Sequence, residues 1–280
     1  MGLVIGIDVG GSTTKIVGVD GKKIITPLCV RASDPIASLF GALGKYVTIN
    51  EIDLSDIEEV ILTGVGSAFV EKPLLNLPTA RTDEFLANGL GARFSIDLDE
   101  LIVVSMGTGT SFVKVKGNNI EHIGGTGIGG GTLLGLSRLM LKTQNIDTIA
   151  ELASRGNIDN IDLQIQDISS KPLPGLPLDA TASNFGKVDG NACAEDIATG
   201  IIHLVLRAIG QAAILSAVNS NIKDFVLIGN LTKIPQCREI FQKIEELYNA
   251  RFHIPIYSEY STAIGAALAY QKREGVEIIK

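Results

Sequence analysis

Residues 3–20 read LVIGIDVGGSTTKIVGVD. An apolar run ends on Asp8, Gly10 and Gly11 turn the chain, and a second apolar run follows Lys15: strand, glycine turn, strand. An aspartate placed directly after Val4, Ile5 and Ile7 is costly to bury without a partner. Glycine lets a backbone come close to phosphate oxygens. Gly10 and the amides of Gly11, Ser12 and Thr13 therefore read as a phosphate-binding turn to which Lys15 adds positive charge. Asp8 reads as a carboxylate that holds magnesium through water, since magnesium keeps much of its hydration shell. The alternative is an ordinary hairpin with a solvated aspartate.

Working outward, residues 101–116, LIVVSMGTGTSFVKVK, repeat the pattern. A slide of 96 positions sets Ile7 on Val103, Gly11 on Gly107, Val17 on Val113 and Val19 on Val115. Gly21 falls on Gly117, and each begins a turn into a third strand, KKIITPLCV and NNIEHIGG. A helix is expected after each meander: over 34–47, with Pro35 in the first turn behind Asp34, and over 131–142. Late strands follow in EEVILTGVG (58–66) and DFVLIGNLT (224–232), each an apolar run stopped by a glycine. Further helices are expected over 84–93, 146–155, 192–219, 235–250 and 261–275, and Pro172, Pro174, Gly175 and Pro177 mark a loop. Hairpin, third strand, helix and late strand recur in the same order, so the chain reads as a duplicated α/β unit, βββαβα.

Two more glycine sites follow. Gly107-Thr108-Gly109-Thr110-Ser111 suits a second phosphate clamp or a simple turn. Residues 124–132, GGTGIGGGT, hold six glycines in eight positions and lead into an apolar helix. Ordering such a stretch costs conformational entropy, and bare amides at a helix N-terminus make an anion site. The stretch matches neither GxxxxGK[ST] nor the dinucleotide fingerprint, so a different nucleotide fold is implied.

The bulk numbers fit this. There are 280 residues, 45% hydrophobic and 20% charged, with 31 glycines concentrated in those runs. The net charge of −7 makes a surface that attracts neither nucleic acid nor anionic lipid. Cys29, Cys193 and Cys237 lie far apart without a CxxC pair, which argues against a disulfide framework or structural zinc and fits a reducing cytosol. With no leader pattern and no run of 18 apolar residues, a cytoplasmic chain outside the membrane is expected.

Taken together, DVGGSTTK, MGTGTS, IGGTGIGGG and VLIGN resemble the phosphate and adenosine motifs of the actin-like sugar-kinase/Hsp70 superfamily. DEFLANGLGA (83–92), GTGTS (107–111), GGTGIGGGTLLGL (124–136), TASNFG (181–186) and STAIGAALA (261–269) resemble type II pantothenate kinases in particular, in order and over nearly the whole chain. The resemblance implies a two-lobed actin-like fold around a central nucleotide cleft, with lobes at 1–95 and 96–280, in a homodimer. It implies transfer of the γ-phosphate of ATP, with Mg2+, to the hydroxyl of pantothenate, the first step of coenzyme A synthesis. It maps ATP binding onto residues 8–15, Thr108, Gly109, Gly130, Gly131, Thr132, Leu133, Leu134 and Asn230.

The same resemblance puts the catalytic base on Glu84. Phosphoryl transfer to an alcohol needs a group that takes the hydroxyl proton, and a positioned carboxylate does so. From the residues alone, Asp83 and Glu84 are equally two acids in a first helical turn, complementing the helix dipole; Asp83 is expected to be structural. His122 and Gly124 fall on the substrate side. His122 stands two residues before Gly124, where the family places an arginine that binds substrate and the transferring phosphate. Histidine is neither always charged nor forked. Either His122 acts as a cation in the closed complex, or another residue such as Arg81 substitutes, or the acceptor differs. His203 and His253 carry no motif and read as structural.

Two rival readings share the fold. One is an ATP-dependent dehydratase activator, whose family carries an iron–sulfur cluster on a cysteine of the comparable glycine stretch; residues 106–111 hold none. The other is a hexose or N-acetylhexosamine kinase, whose repressor-like members carry a zinc cluster that this chain lacks.

Overall fold

The computed structural model describes residues 2–31, 34–171, 175–272 and 275–279. Pro172 and Pro174 of the expected loop lie outside them. β1 (Leu3–Val9), β2 (Thr13–Asp20) and β3 (Lys23–Arg31) form an antiparallel meander. α1 (Pro35–Ile49) follows, its start fixed by the Asp34 carboxylate, which accepts from the Ala37 N–H at 2.8 Å. β4 (Ile57–Thr63) returns parallel to β1, β5 (Thr79–Thr82) lies parallel to β4, and α2 (Glu84–Ser95) leaves it.

The second half repeats this with β6 (Glu100–Met106), β7 (Thr110–Lys116), β8 (Asn119–Thr126) and α3 (Gly130–Leu141). An insertion follows: α4 (Ile146–Ala153), β9 (Leu163–Gln164), α5 (Ile165–Ile168), β10 (Thr181–Ser183) and the long α6 (Ala194–Ser216). β11 (Asp224–Ile228), α7 (Gln236–Tyr248), β12 (Arg251–His253), α8 (Ser261–Lys272) and β13 (Val276–Ile279) complete the chain.

The sheets run β13-β5-β4-β1-β2-β3 and β12-β11-β6-β7-β8. Apart from β13 the two orders are equivalent, so the duplication seen in the sequence is a duplication in space. Its register needs one correction. Ile5, Ile7, Val9 and Ile16 face α1, whereas Ile102, Val104, Met106 and Phe112 face the core of the second lobe. Ile7 therefore matches Val104, not Val103, while Ile16 matches Phe112. The uniform slide of 96 holds for the second strands but is one residue short in the first, because the β6–β7 turn has one residue fewer than the β1–β2 turn. A one-residue shift exchanges the faces of a strand.

Between the sheets lie α2 and α8. Ala87 of α2 and Ala266 and Ala267 of α8 pack with Val4, Val19 and Ile61 of the first sheet, and Ala92 of α2 packs with Leu101, Val103, Val113 and Val115 of the second. Each lobe thus ends in a helix that reaches the other. The division at 95/96 falls at the end of α2, and beyond it α8 and β13 return to the first sheet, β13 pairing antiparallel with β5. α6 is long and apolar enough to cross a membrane, but Ile201, Ile202, Val205, Leu206 and Ile209 are buried with Phe225 and Phe241, making it the core helix of the second lobe. Burial pushes His203 on that helix down to about 4, and His253 hydrogen-bonds Asp224 at 2.8 Å; both are structural.

Candidate functional site

The glycine turns β1–β2 and β6–β7 open into a cleft of about 800 Å³, within the range of small-molecule sites. Ser12 and Thr13 line it from the first lobe, and Gly107, Thr108, Gly130, Gly131, Leu134 and Asn230 from the second. The Asn230 amide donates to the Thr13 hydroxyl across the cleft at 3.3 Å.

The third glycine run behaves differently from expectation. The N–H of Gly130 donates to the Gly107 carbonyl at 2.8 Å, and that of Gly131 to the Thr108 carbonyl at 2.9 Å. The Thr132 hydroxyl accepts from the Gly129 N–H and donates to the Gly127 carbonyl. Leu133 is wholly buried, with its own N–H on the Gly129 carbonyl. Gly130 and Gly131 therefore brace one glycine loop against the other instead of offering free amides, Thr132 ties its own loop together through its hydroxyl, and Leu133 is a core residue. Gly10 closes its own turn by donating to the Thr13 carbonyl at 3.0 Å, and Gly109 backs onto the Thr126 carbonyl. Among the described residues, the N–H groups of Gly11, Ser12, Gly107 and Thr108 stay unpartnered and available to an anion.

Asp8, Lys15 and Glu84 come together next to the β1–β2 glycine turn; none of the three is among the residues that line the cleft. Asp8 and Lys15 are cross-strand partners, both buried, with the ammonium 3.9 Å from the carboxylate. Burial raises the Asp8 carboxyl above its usual range, and Lys15 pulls it part of the way back. Gly64, at φ 82, makes room: a Cβ there would lie 2.6 Å from Asp8 Oδ1. Glu84 opens α2. The Asp83 carboxylate caps that helix, accepting from the N–H groups of Phe85 and Leu86, both at 2.9 Å, so Asp83 is structural as expected. Among the described residues no hydrogen bond engages the Glu84 carboxyl. Burial pushes it up to about 7, with Asp8 and Asp83 adding to the rise and Lys15 opposing it. An unengaged carboxyl that titrates near neutrality suits a general base.

His122 lies on β8 with its ring stacked on Phe85, centroids 3.9 Å apart. Gly124 sits two residues further along the same strand. Arg81 does not stand in as a cleft cation. Its register partner, Leu62, belongs to the face that packs on α1, and its guanidinium donates to the carbonyls of Ser67 and Val70 at 3.0 and 2.7 Å. Asp8 pairs with Thr63, one residue on, and so faces the other way. The cleft also includes residues that carry no motif: Cys29 and Arg31 at the end of β3, Ile146, Asp147 and Ala150 of α4, and Ile234 and Pro235 before α7. Nothing local in the sequence marks them, since the insertion delivers α4 to the cleft only in three dimensions.

Two lobes of equivalent strand order around a glycine-lined cleft, with a carboxylate and a lysine beside its first glycine turn, define an actin-like nucleotide-binding phosphotransferase fold. Solved structures agree on that fold. Component A of (R)-2-hydroxyglutaryl-CoA dehydratase from Acidaminococcus fermentans superposes with a TM-score of 0.70 at 20% identity, over 97% of this chain and 99% of that one. A ROK family glucokinase from Streptomyces griseus, in complex with glucose and AMPPNP, superposes with a TM-score of 0.62 at 16% identity, over 96% and 100%. Within that class, the chain belongs to the Fumble family, whose model matches residues 98–266. The type II pantothenate kinase of Staphylococcus haemolyticus is 30% identical over 94% of this chain and 98% of its own length. That of Bacillus cereus is 29% identical over 94% and 97%.

Proposed function

We propose that this protein is an ATP-dependent pantothenate kinase that transfers the γ-phosphate to the pantothenate hydroxyl, with Glu84 as the base. The observation that carries the reading is the unengaged Glu84 carboxyl, titrating at about 7 beside Asp8 and Lys15, next to the glycine turn that opens into a nucleotide-sized cleft. Membership of the Fumble family and relatives that are type II pantothenate kinases support the acceptor.

The nucleoside lies against the apolar wall of Leu134, Ile146, Ile234 and Pro235, with Asn230 at its edge. The phosphates take the free N–H groups of Gly11, Ser12, Gly107 and Thr108, with Lys15 adding charge. No group of three or more His, Cys, Asp or Glu that could hold a metal occurs among the described residues. The buried carboxylate of Asp8 fits magnesium, which is held largely by water and phosphate oxygens. Bound there, the ion would neutralise charge on the phosphates. Glu84 orients the acceptor hydroxyl and accepts its proton as it attacks phosphorus. Free thiols at all three cysteines fit work in the cytoplasm. Exposed Leu139 and Met140 on α3, with Leu215 and Val218 at the end of α6, favour a homodimer that covers them; light scattering reads its mass.

The test is to incubate the protein with labelled ATP and pantothenate, pantetheine or common hexoses. Pantothenate is expected to gain the phosphate; label appearing only in a hexose, or in no acceptor, refutes the reading. Glu84→Gln should lower turnover by about 10²–10⁴-fold while ATP binding, measured by titration calorimetry, stays near that of the unmodified protein.

A further inference from the structure

Asp8 is loosely held for a carboxylate that has an ion to position. Lys15 approaches Oδ2 at 3.9 Å, which is longer than a hydrogen bond. Oδ1 leans the other way, toward the end of β4, where a Cβ on Gly64 would lie 2.6 Å from it. Among the described residues no hydrogen bond engages either oxygen.

The residue before Gly64 is Thr63, the register partner of Asp8 on the parallel strand β4. Partners across such a pair point to the same face of the sheet, and neighbouring strands lie about 4.8 Å apart. The row continues onto β5. Leu62 pairs with Arg81, so Thr82 stands beside Thr63 and shares its face. Asp8, Thr63 and Thr82 thus form a ladder across the ends of three parallel strands, two residues ahead of Glu84. All three are buried, with exposures of 9%, 0% and 5%, and neither threonine hydroxyl has a hydrogen-bond partner.

Shape alone does not explain two threonines there. Valine is also β-branched and leaves no buried hydroxyl unpaired, which is costly. Buried polar groups are almost always satisfied, by protein or by ordered water. A buried water makes about three hydrogen bonds, and Asp8, Thr63 and Thr82 together offer that number. Lys15 adds charge on the other side, but an ammonium on a flexible stem does not set the plane of a carboxylate.

We propose that Thr63 and Thr82 hold a water against the Asp8 carboxylate and so fix the orientation in which it receives the metal ion of the nucleotide. Both are positioning residues, since they act through Asp8. This rests on the reading of Asp8 as the magnesium carboxylate. Groups that orient a metal-binding side chain raise the affinity for the ion without touching it.

The experiment uses Mn2+ in place of magnesium, titrated into the protein with equimolar ADP, the free ion being read from its paramagnetic resonance signal. Asp8→Asn should lose the ion. Thr63→Val and Thr82→Val should each bind it about 10–100-fold more weakly, whereas Thr63→Ser, which keeps the hydroxyl, should bind it as the unmodified protein does. The double valine variant should lose little more than either single one, because the two hydroxyls serve one water. Affinity for ADP without metal should stay the same in every threonine variant. Full Mn2+ affinity in Thr63→Val while Asp8→Asn loses the ion overturns the inference and leaves the metal reading intact. An equal loss of metal-free ADP affinity, or losses that add in the double variant, also overturns it. Unchanged Mn2+ affinity in Asp8→Asn removes the metal reading itself, and the inference with it.

Discussion

Glu84 carries opposite consequences for catalysis and for stability. In the role proposed for it the base is the ionised form, so kcat should rise with pH through about 7 and level above it. The folded carboxyl keeps its proton up to about 7, whereas an unfolded one releases it near 4.5. The folded state therefore binds more protons in that window. The stability this contributes is complete below the unfolded value and is lost as pH rises through the folded one. Glu84→Gln, expected to be slowed as a kinase, should stabilise the fold by on the order of 1–3 kcal/mol at pH 8 and by little at pH 4. Urea unfolding at the two pH values checks this, and an equal effect at both would remove the burial argument.

Among the elements, the α2–α8 crossing is the tightest contact. A Cβ at Gly265 would lie 1.7 Å from the Ala87 carbonyl oxygen, and one at Gly91 would lie 1.9 Å from that of Ser261. Backbone cannot move aside as a flexible side chain does. Gly265→Ala should cost more than about 3 kcal/mol or prevent folding. Gly44, in the middle of α1, faces open space: a Cβ there would meet nothing within 4 Å. Gly44→Ala should instead stabilise by up to about 1 kcal/mol, because alanine is the better helix former. Thermal or urea unfolding of the pair separates a packing role for glycine from a merely tolerated one.

On the level of the whole molecule, the two lobes meet at that helix crossing and again across the cleft, where Asn230 reaches Thr13. This bridge spans the cleft, so a nucleotide bound as proposed would touch both lobes. Asn230→Ala should weaken ATP about fivefold, as expected for one hydrogen bond of about 1 kcal/mol. Titration calorimetry measures it, and unchanged affinity would take Asn230 out of the nucleotide site.

Much of this was legible in the chain itself. Apolar runs, glycine turns and the recurrence of strand, helix and late strand are local patterns, and they delivered the duplicated α/β architecture and the glycine turns that line the cleft. Asp34 with Pro35, and Asp83 before Glu84, announced their helices because capping is a matter of a few neighbouring residues. Hydrogen-bond partners and facing directions were not legible in this way. Gly130 and Gly131 read as free anion donors in the sequence, but in the fold Gly107 and Thr108 accept from them. Arg81 reads as a spare cation, but its strand places it on the far face of the sheet. Glu84 is one of two equal acids in the sequence; the fold gives Asp83 the helix cap and half-buries its neighbour within the field of Asp8. Periodicity and composition are written residue by residue, but burial, field and the occupancy of each N–H depend on segments far apart in the chain, and these exist as neighbours only once it has folded.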